Sequence, residues 1–90
     1  MNEKNELEQL RDEINNIDEQ IVNLLNKRFD LVYKVGEYKK KSRLPVLNIM
    51  VENEKIKKIQ EIKGLNYYHE ICELFQIIFR YSRDIQEEIV

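Results

Sequence analysis

The sequence predicts an all-α protein with three helices, one of them very long, and three observations carry this prediction. The 90 residues are 36% charged and 42% hydrophobic, with only two glycines and one proline, which suits long amphipathic helices better than turn-rich sheets. Apolar residues recur at steps of three and four, as they do on one face of a helix. Helix-ending signals cluster near residues 43–48 and 64–66 and leave three helical segments. The length allows a single domain, which we expect to span residues 1–90.

The first helix is expected from about residue 6 to residue 42. Gly36 is its only weak interior residue and costs about 1 kcal/mol relative to alanine. The helix should end before Pro45, because the residue before a proline avoids the helical region.

Two shorter helices are expected to follow. Asn48 is a suitable N-cap for a second helix over about residues 49–63, and Gly64 is a suitable C-terminal stop. Asn66 could cap a third helix over about residues 67–88.

The length of the first helix predicts a partner chain. At about 1.5 Å per residue it would be roughly 55 Å long, whereas a compact chain of this size has a radius of gyration of only about 12 Å. Two shorter helices cannot cover its apolar stripe. Apolar residues also repeat in steps of seven, as in a coiled-coil seam: Leu7, Ile14 and Ile21, and Leu10, Ile17, Leu24 and Leu31. We therefore expect an intertwined helical homodimer.

Composition and charge argue against several classes of partner. The net charge of -2 gives no global field for nucleic acid or a membrane surface. The lone Cys72 gives neither a disulfide framework nor a metal-ligand spacing. Residues 1–6 are polar and lack the apolar run of a signal peptide, and no stretch is apolar enough to cross a bilayer. We expect a cytoplasmic protein with no metal, no nucleic acid and no membrane partner.

Each helix carries polar residues on the face that should be buried. They are Arg11, Arg28, Lys39, Glu52, Ser82 and Gln86. Taken singly, each has a plain structural interpretation, such as an ion-pair partner or a small packing residue. Burying charge is costly without a partner, so the stripe holds either internal ion pairs or a site for an anion. Their coincidence favours a ligand site between helices.

Spacing limits how these cations share a ligand. Arg28 and Lys39 are eleven residues apart, about 16 Å along the axis and nearly in phase, so their side chains could bracket a ligand of one ring. Arg11 lies roughly 25 Å beyond Arg28 and could reach that ligand only from the partner chain of an antiparallel dimer.

At this point the chain resembles a known family. The runs Leu10–Ile14, Ile17–Asp18, Leu24–Arg28, Val35–Lys39, Pro45–Val46 and Phe75–Ile78, with Glu52, Ser82 and Gln86, resemble the AroQ-class chorismate mutases over nearly the whole chain. The resemblance implies an all-helical intertwined homodimer with two active sites. It also implies the rearrangement of chorismate to prephenate, on the branch toward phenylalanine and tyrosine. This unimolecular reaction needs no nucleophile, metal or organic cofactor.

The resemblance also implies roles for the cations and the amide. Arg28 would bind one carboxylate of chorismate, and Arg11 of the other subunit would bind the second, because the planar guanidinium matches a carboxylate. Lys39 and Gln86 would donate hydrogen bonds to the ether oxygen. A glutamine donor stays neutral, so this part of the site should not depend on protonating a carboxylate.

The same resemblance gives Glu52, Ser82 and Asn48 lesser contacts, and it leaves one gap. Glu52 would accept from the ring hydroxyl, and Ser82 would add a hydrogen bond near a carboxylate. Asn48 stands where many members carry Asp, and it can still cap the helix and contact a hydroxyl. Val51 stands where many carry Arg. Either the pocket works without that cation or Lys55, one turn further on, replaces it.

Two other functions fit part of the pattern. An isochorismate pyruvate lyase of the same fold acts on a substrate whose hydroxyl is on a different ring carbon, and Glu52 as hydroxyl acceptor favours the mutase. A non-catalytic helical dimer, either a scaffold or a metabolite-binding regulatory domain, needs the stripe but not Lys39 and Gln86 together with Glu52.

Overall fold

The computed structural model describes residues 5–89 and folds them into three α-helices with no strand. Helix α1 is Glu6–Lys41, α2 is Ile49–Gln60 and α3 is Tyr68–Glu87. The predicted all-α class with one very long helix is confirmed. The polar segment at residues 1–4, used above against a signal peptide, and Val90 lie outside the described residues. No helix within residues 5–89 is long and apolar enough to cross a membrane.

Local hydrogen bonds fix both ends of α1. At the start, the Asn5 side-chain oxygen accepts from the Glu8 backbone N–H at 2.8 Å, an N-cap that the sequence analysis missed. At the end, Arg43 adopts a left-handed conformation with φ of 55°. The Arg43 and Leu44 N–H groups donate back to the carbonyls of Lys40 and Lys39. These bonds form a Schellman motif, which satisfies the last carbonyls of the helix.

The ends of the two shorter helices differ in part from the prediction. Asn48 caps α2 as expected, since its side-chain oxygen accepts from the Val51 N–H at 3.2 Å. Helix α2 ends at Gln60, three residues earlier than expected, and Gly64 lies in the following turn with φ of 75°. The N-cap of α3 is Tyr67, which makes no side-chain cap hydrogen bond, so the expectation that Asn66 caps this helix is wrong.

The chain divides into two compact units, residues 1–30 and residues 31–90. The described part of the first unit is Asn5 and the first 25 residues of α1, in which every residue from 5 to 24 is exposed. This includes the apolar stripe, with Leu7, Ile14 and Ile21 each about half exposed. The first unit therefore presents an uncovered apolar face.

The second unit contains the end of α1 together with α2 and α3, which pack on each other. Its core is small: Ile59 of α2 and Phe79 of α3 are buried, and Phe79 meets Phe75 edge to face with ring centroids 5.9 Å apart. Ser82 and Gly36 are buried as well. Four of the predicted polar residues, Lys39, Glu52, Ser82 and Gln86, lie in this unit.

Candidate active site

Gly36 brings the end of α1 against α3 at Gln86. A β-carbon added to Gly36 would lie 2.8 Å from Cγ and 3.1 Å from Cα of Gln86, and 2.5 Å from Cδ1 of Ile89. Contacts this short leave no room for a side chain. The absence of a side chain at Gly36 therefore lets the backbone of α3 approach α1 and places Gln86 at that contact.

The amide of Gln86 has one satisfied end and one unsatisfied end. Its Nε2 donates to the Ser82 carbonyl at 3.2 Å, whereas its Oε1 is buried and accepts no hydrogen bond from residues 5–89. A buried acceptor without a partner costs free energy. Turning the amide over would place the N–H₂ group where Oε1 lies now, as the proposed donor role of Gln86 requires.

Ser82 lies one helical turn before Gln86 and is buried at 6% relative exposure. Its hydroxyl donates to the Ile78 carbonyl of the same helix at 2.6 Å. A serine hydroxyl also carries acceptor lone pairs, so this bond does not exhaust its capacity.

Lys39 is half-buried, and the segment between α1 and α2 holds its amine. Nζ donates to the carbonyl of Val46 at 2.8 Å. An ammonium group has three N–H donors, so this contact fixes the side chain and leaves donors for a ligand. The Schellman turn after α1 positions the carbonyl of Val46, because it reverses the chain at Arg43.

Glu52, in the first turn of α2, is paired with Arg83 of α3. Both carboxylate oxygens accept from Nη1 of Arg83, each at 2.7 Å, and both side chains are largely buried, at 21% and 31% exposure. Short, charge-assisted bonds of this kind are stronger than neutral ones. The sequence analysis missed Arg83. In the sequence, the position of Arg83 between Ser82 and Gln86 is the only indication that it could belong to the site.

The remaining predicted residues have simpler surroundings. Asn48 is exposed and engaged as the N-cap of α2. In the first unit, Arg11 is exposed and Arg28 is half-buried. Burial lowers the pKa of the Arg28 guanidinium, because desolvation disfavours its charged form. A bound anion would favour that charged form again.

Two other features of the described residues concern metal ligands and a surface pocket. No group of three or more His, Cys, Asp or Glu side chains within residues 5–89 could hold a metal ion. An open pocket is lined by Glu37, Tyr38, Lys40, Lys41 and Ile89, none of which is a predicted site residue.

These features define a class of protein. It is all-helical, and its second unit contains the amine of Lys39, the carboxylate of Glu52, the hydroxyl of Ser82 and the amide of Gln86. The family model for chorismate mutase type II matches residues 10–87, and the chain belongs to this family. The predicted AroQ-class resemblance is confirmed.

Curated relatives carry the same domain in larger proteins. The chain is 39% identical, over 93 aligned residues, to a bifunctional chorismate mutase/prephenate dehydratase of Buchnera aphidicola from Schizaphis graminum, and the match covers 100% of the chain. A protein with the same description from the Acyrthosiphon pisum strain is 37% identical over 89% of the chain. The matches cover 24% and 21% of these relatives, so the chain spans about a quarter of their length.

Solved structures share the fold. A chorismate mutase (form II) from Thermus thermophilus superposes with a TM-score of 0.86 at 28% identity, covering 93% of this chain and 97% of that one. A conserved hypothetical protein from Pyrococcus furiosus gives a TM-score of 0.78 at 32% identity, covering 93% and 99%.

Proposed function

We propose that this chain catalyses the Claisen rearrangement of chorismate to prephenate. The observation that carries the proposal is the family match over residues 10–87. The placement of Lys39, Glu52, Ser82 and Gln86 in one compact unit supports it. The reaction belongs to phenylalanine and tyrosine biosynthesis, which we expect to take place in the cytoplasm.

The reaction makes limited chemical demands on the protein. Chorismate is a dianion in which an ether bond breaks as a carbon–carbon bond forms, so no group is transferred to the enzyme. The protein can hold the enolpyruvyl arm over the ring, which removes a large entropic part of the barrier. It can also place hydrogen-bond donors where negative charge grows on the ether oxygen.

Lys39 and Gln86 are the proposed donors to the ether oxygen. The ammonium group of Lys39 is anchored by the Val46 carbonyl and keeps further N–H groups for the substrate. Gln86 is held at the α1–α3 contact, and its buried Oε1 lacks a partner within residues 5–89. A substrate oxygen would stabilise the turned amide by accepting a hydrogen bond from its N–H₂ group.

Glu52, Ser82 and Asn48 are the proposed contacts to the hydroxyl and carboxylate groups. Glu52 would accept from the ring hydroxyl while its pair with Arg83 fixes its orientation. Ser82 would bond near a carboxylate, and Asn48 would contact a hydroxyl while it caps α2.

The two substrate carboxylates would be bound by arginines of different chains. Arg28 would bind one, and Arg11 of a second copy would bind the other. The exposed apolar stripe on the first 25 residues of α1 supports a homodimer, because a stripe of this length calls for a covering partner. The half-buried guanidinium of Arg28 suits a carboxylate ligand.

The activity is tested by following the absorbance of chorismate with purified protein and identifying the product. We expect saturable formation of prephenate. Lys39→Ala and Gln86→Ala should each lower kcat by about 10²- to 10³-fold, as the loss of one preorganised donor does. Lys41→Ala and Gln60→Ala, at exposed positions, are the matched controls and should keep full activity.

Two outcomes would contradict this proposal. Retained turnover in both Lys39→Ala and Gln86→Ala would exclude their role at the ether oxygen. Release of pyruvate from isochorismate, with chorismate left unchanged, would assign the chain to the lyase reaction.

A further inference from the structure

Arg83 is a cation that the proposed site does not yet use, although it contacts one of that site's residues. Its Nη1 places one nitrogen between the two oxygens of Glu52, at 2.7 Å from each. The Arg83 side chain as a whole is about two-thirds buried, which distinguishes this bond from a solvated surface pair. Helix α3 therefore brings a fixed positive charge to the first turn of α2.

The neighbouring positions on α2 offer no positive charge that another residue holds in place. Val51, next to Glu52, is apolar and 56% exposed. Lys55 is exposed, and its side chain makes no hydrogen bond or ion pair within the described part of the chain. Arg83, which Glu52 holds in place, is therefore a better candidate than the unheld Lys55 for the cation missing at position 51.

The geometry of the pair leaves binding capacity on both partners. A guanidinium has five N–H donors, and the pair with Glu52 uses those of Nη1. Nη2 and Nε of Arg83 donate no hydrogen bond to residues 5–89, and each Glu52 oxygen keeps a second lone-pair site. The pair thus offers an acceptor for a hydroxyl and, beside it, a charged donor for a carboxylate.

We infer that Arg83 is a substrate-binding cation of this chain, held by Glu52 so that its remaining N–H groups bind a carboxylate of the dianion. The inference rests on the proposed mutase function. It gives Glu52 a second task, because the same carboxylate orients the guanidinium and accepts from the ring hydroxyl.

Steady-state kinetics on chorismate test the inference. Arg83→Met removes the charge and keeps an unbranched apolar chain, and it should raise KM roughly tenfold or more, in line with the loss of a charged hydrogen bond, with a smaller change in kcat. Arg83→Lys, a point charge without the fork, should recover part of that loss. Adding Val51→Arg to Arg83→Met should lower KM again, and by a larger factor than Val51→Arg alone does in the unchanged protein.

The control is Arg80→Met, the same change on the same helix at an exposed residue whose guanidinium lies 5.3 Å from the ring centre of Tyr81. It should leave KM and kcat unchanged. Thermal melting of each variant separates weakened binding from loss of fold, and the Val51→Arg rescue would not follow from a merely structural role.

The outcomes distinguish the inference from the function on which it rests. No prephenate from the unchanged protein would overturn the proposed function and the inference with it. Prephenate formation with an equal or lower KM in folded Arg83→Met would overturn the inference alone. If Arg83→Met does not fold, Arg83→Gln removes the charge while it keeps a polar side chain, and a folded Arg83→Gln protein with an equal or lower KM would assign Arg83 to stability and also overturn the inference.

Discussion

Gly36 lies at a close approach of α1 to α3 around Gln86. In an open helix interior, replacing glycine by alanine stabilises by about 1 kcal/mol. Here the new methyl group would lie 2.8 Å from Cγ of Gln86 and 3.1 Å from its Cα, so the two helices would have to separate. The propensity gain and the steric cost therefore oppose each other at this residue.

We predict that the steric cost is larger. Gly36→Ala should destabilise the fold by about 1–3 kcal/mol through overpacking. It should also lower kcat by tenfold or more, because Gln86 moves with α3. Urea unfolding and steady-state kinetics measure the two effects. A rise in stability with unchanged kcat would show that α3 yields without cost.

At the residue scale, local signals predicted more than long-range ones. The N-cap role of Asn48 could be predicted because it is local: the Asn48 side-chain oxygen accepts from an N–H only three residues away. By its sequence alone, Gly36 is only a weak helix position. Its contact with Gln86 could not be predicted, because the two residues are far apart in sequence. The Glu52–Arg83 pair joins two helices across 31 residues, and no spacing rule on a single helix indicates it.

At the scale of a helix, Arg43 shows how α1 is stopped. The sequence predicted an end before Pro45, and α1 does end there, at Lys41. The reversal itself is made by the left-handed backbone of Arg43, a conformation that costs a side-chain-bearing residue about 1–2 kcal/mol. Glycine is the usual residue at this position of the motif.

We predict that Arg43→Gly stabilises the protein by about 0.5–1 kcal/mol. The release of strain exceeds the extra entropy that glycine gives the unfolded chain. Thermal or urea unfolding measures the gain. Ser42→Gly, one residue earlier and without positive φ, is the matched control and should not stabilise. Equal effects of the two changes would contradict the assignment of strain to Arg43.

The ends of the shorter helices show where stop signals mislead. Gly64 was expected to close α2, yet the helix ends at Gln60, after which the Glu61 and Ile62 N–H groups donate back to the carbonyls of Lys57 and Ile59. Ile59 is the last buried residue of this helix, and Ile62 is exposed. A further helical turn would therefore gain no stabilisation from apolar burial at Ile62. The glycine instead supplies the left-handed turn of the connection.

At the scale of the whole molecule, the exposed first part of α1 agrees with the predicted need for a partner chain. The prediction of a partner rested on a helix too long to be covered by its own chain, and every residue from 5 to 24 is exposed. The homodimer and its shared site remain predictions. The sequence of one chain does not fix the pairing of two α1 helices, because a seven-residue repeat fits more than one relative shift of the helices.

We predict that mixed subunits restore a lost activity. Arg11→Ala and Arg28→Ala should each be inactive, because every site in either homodimer lacks one carboxylate-binding arginine. Refolding an equal mixture should restore activity, since each heterodimer keeps one intact site. Native mass spectrometry establishes that heterodimers form. An inactive mixture that contains them would argue against a site shared between chains.

The exposed stripe on α1 also affects the newly made chain. Residues 5–24 are made before the two shorter helices, and they remain exposed after the single chain has folded. In a cell, chaperones bind and proteases cleave exposed apolar sequence, so for the predicted homodimer we expect a shorter subunit lifetime when partner chains are scarce. For that predicted homodimer, abundance would depend more steeply than linearly on the rate of synthesis, because pairing with a second chain would protect each one.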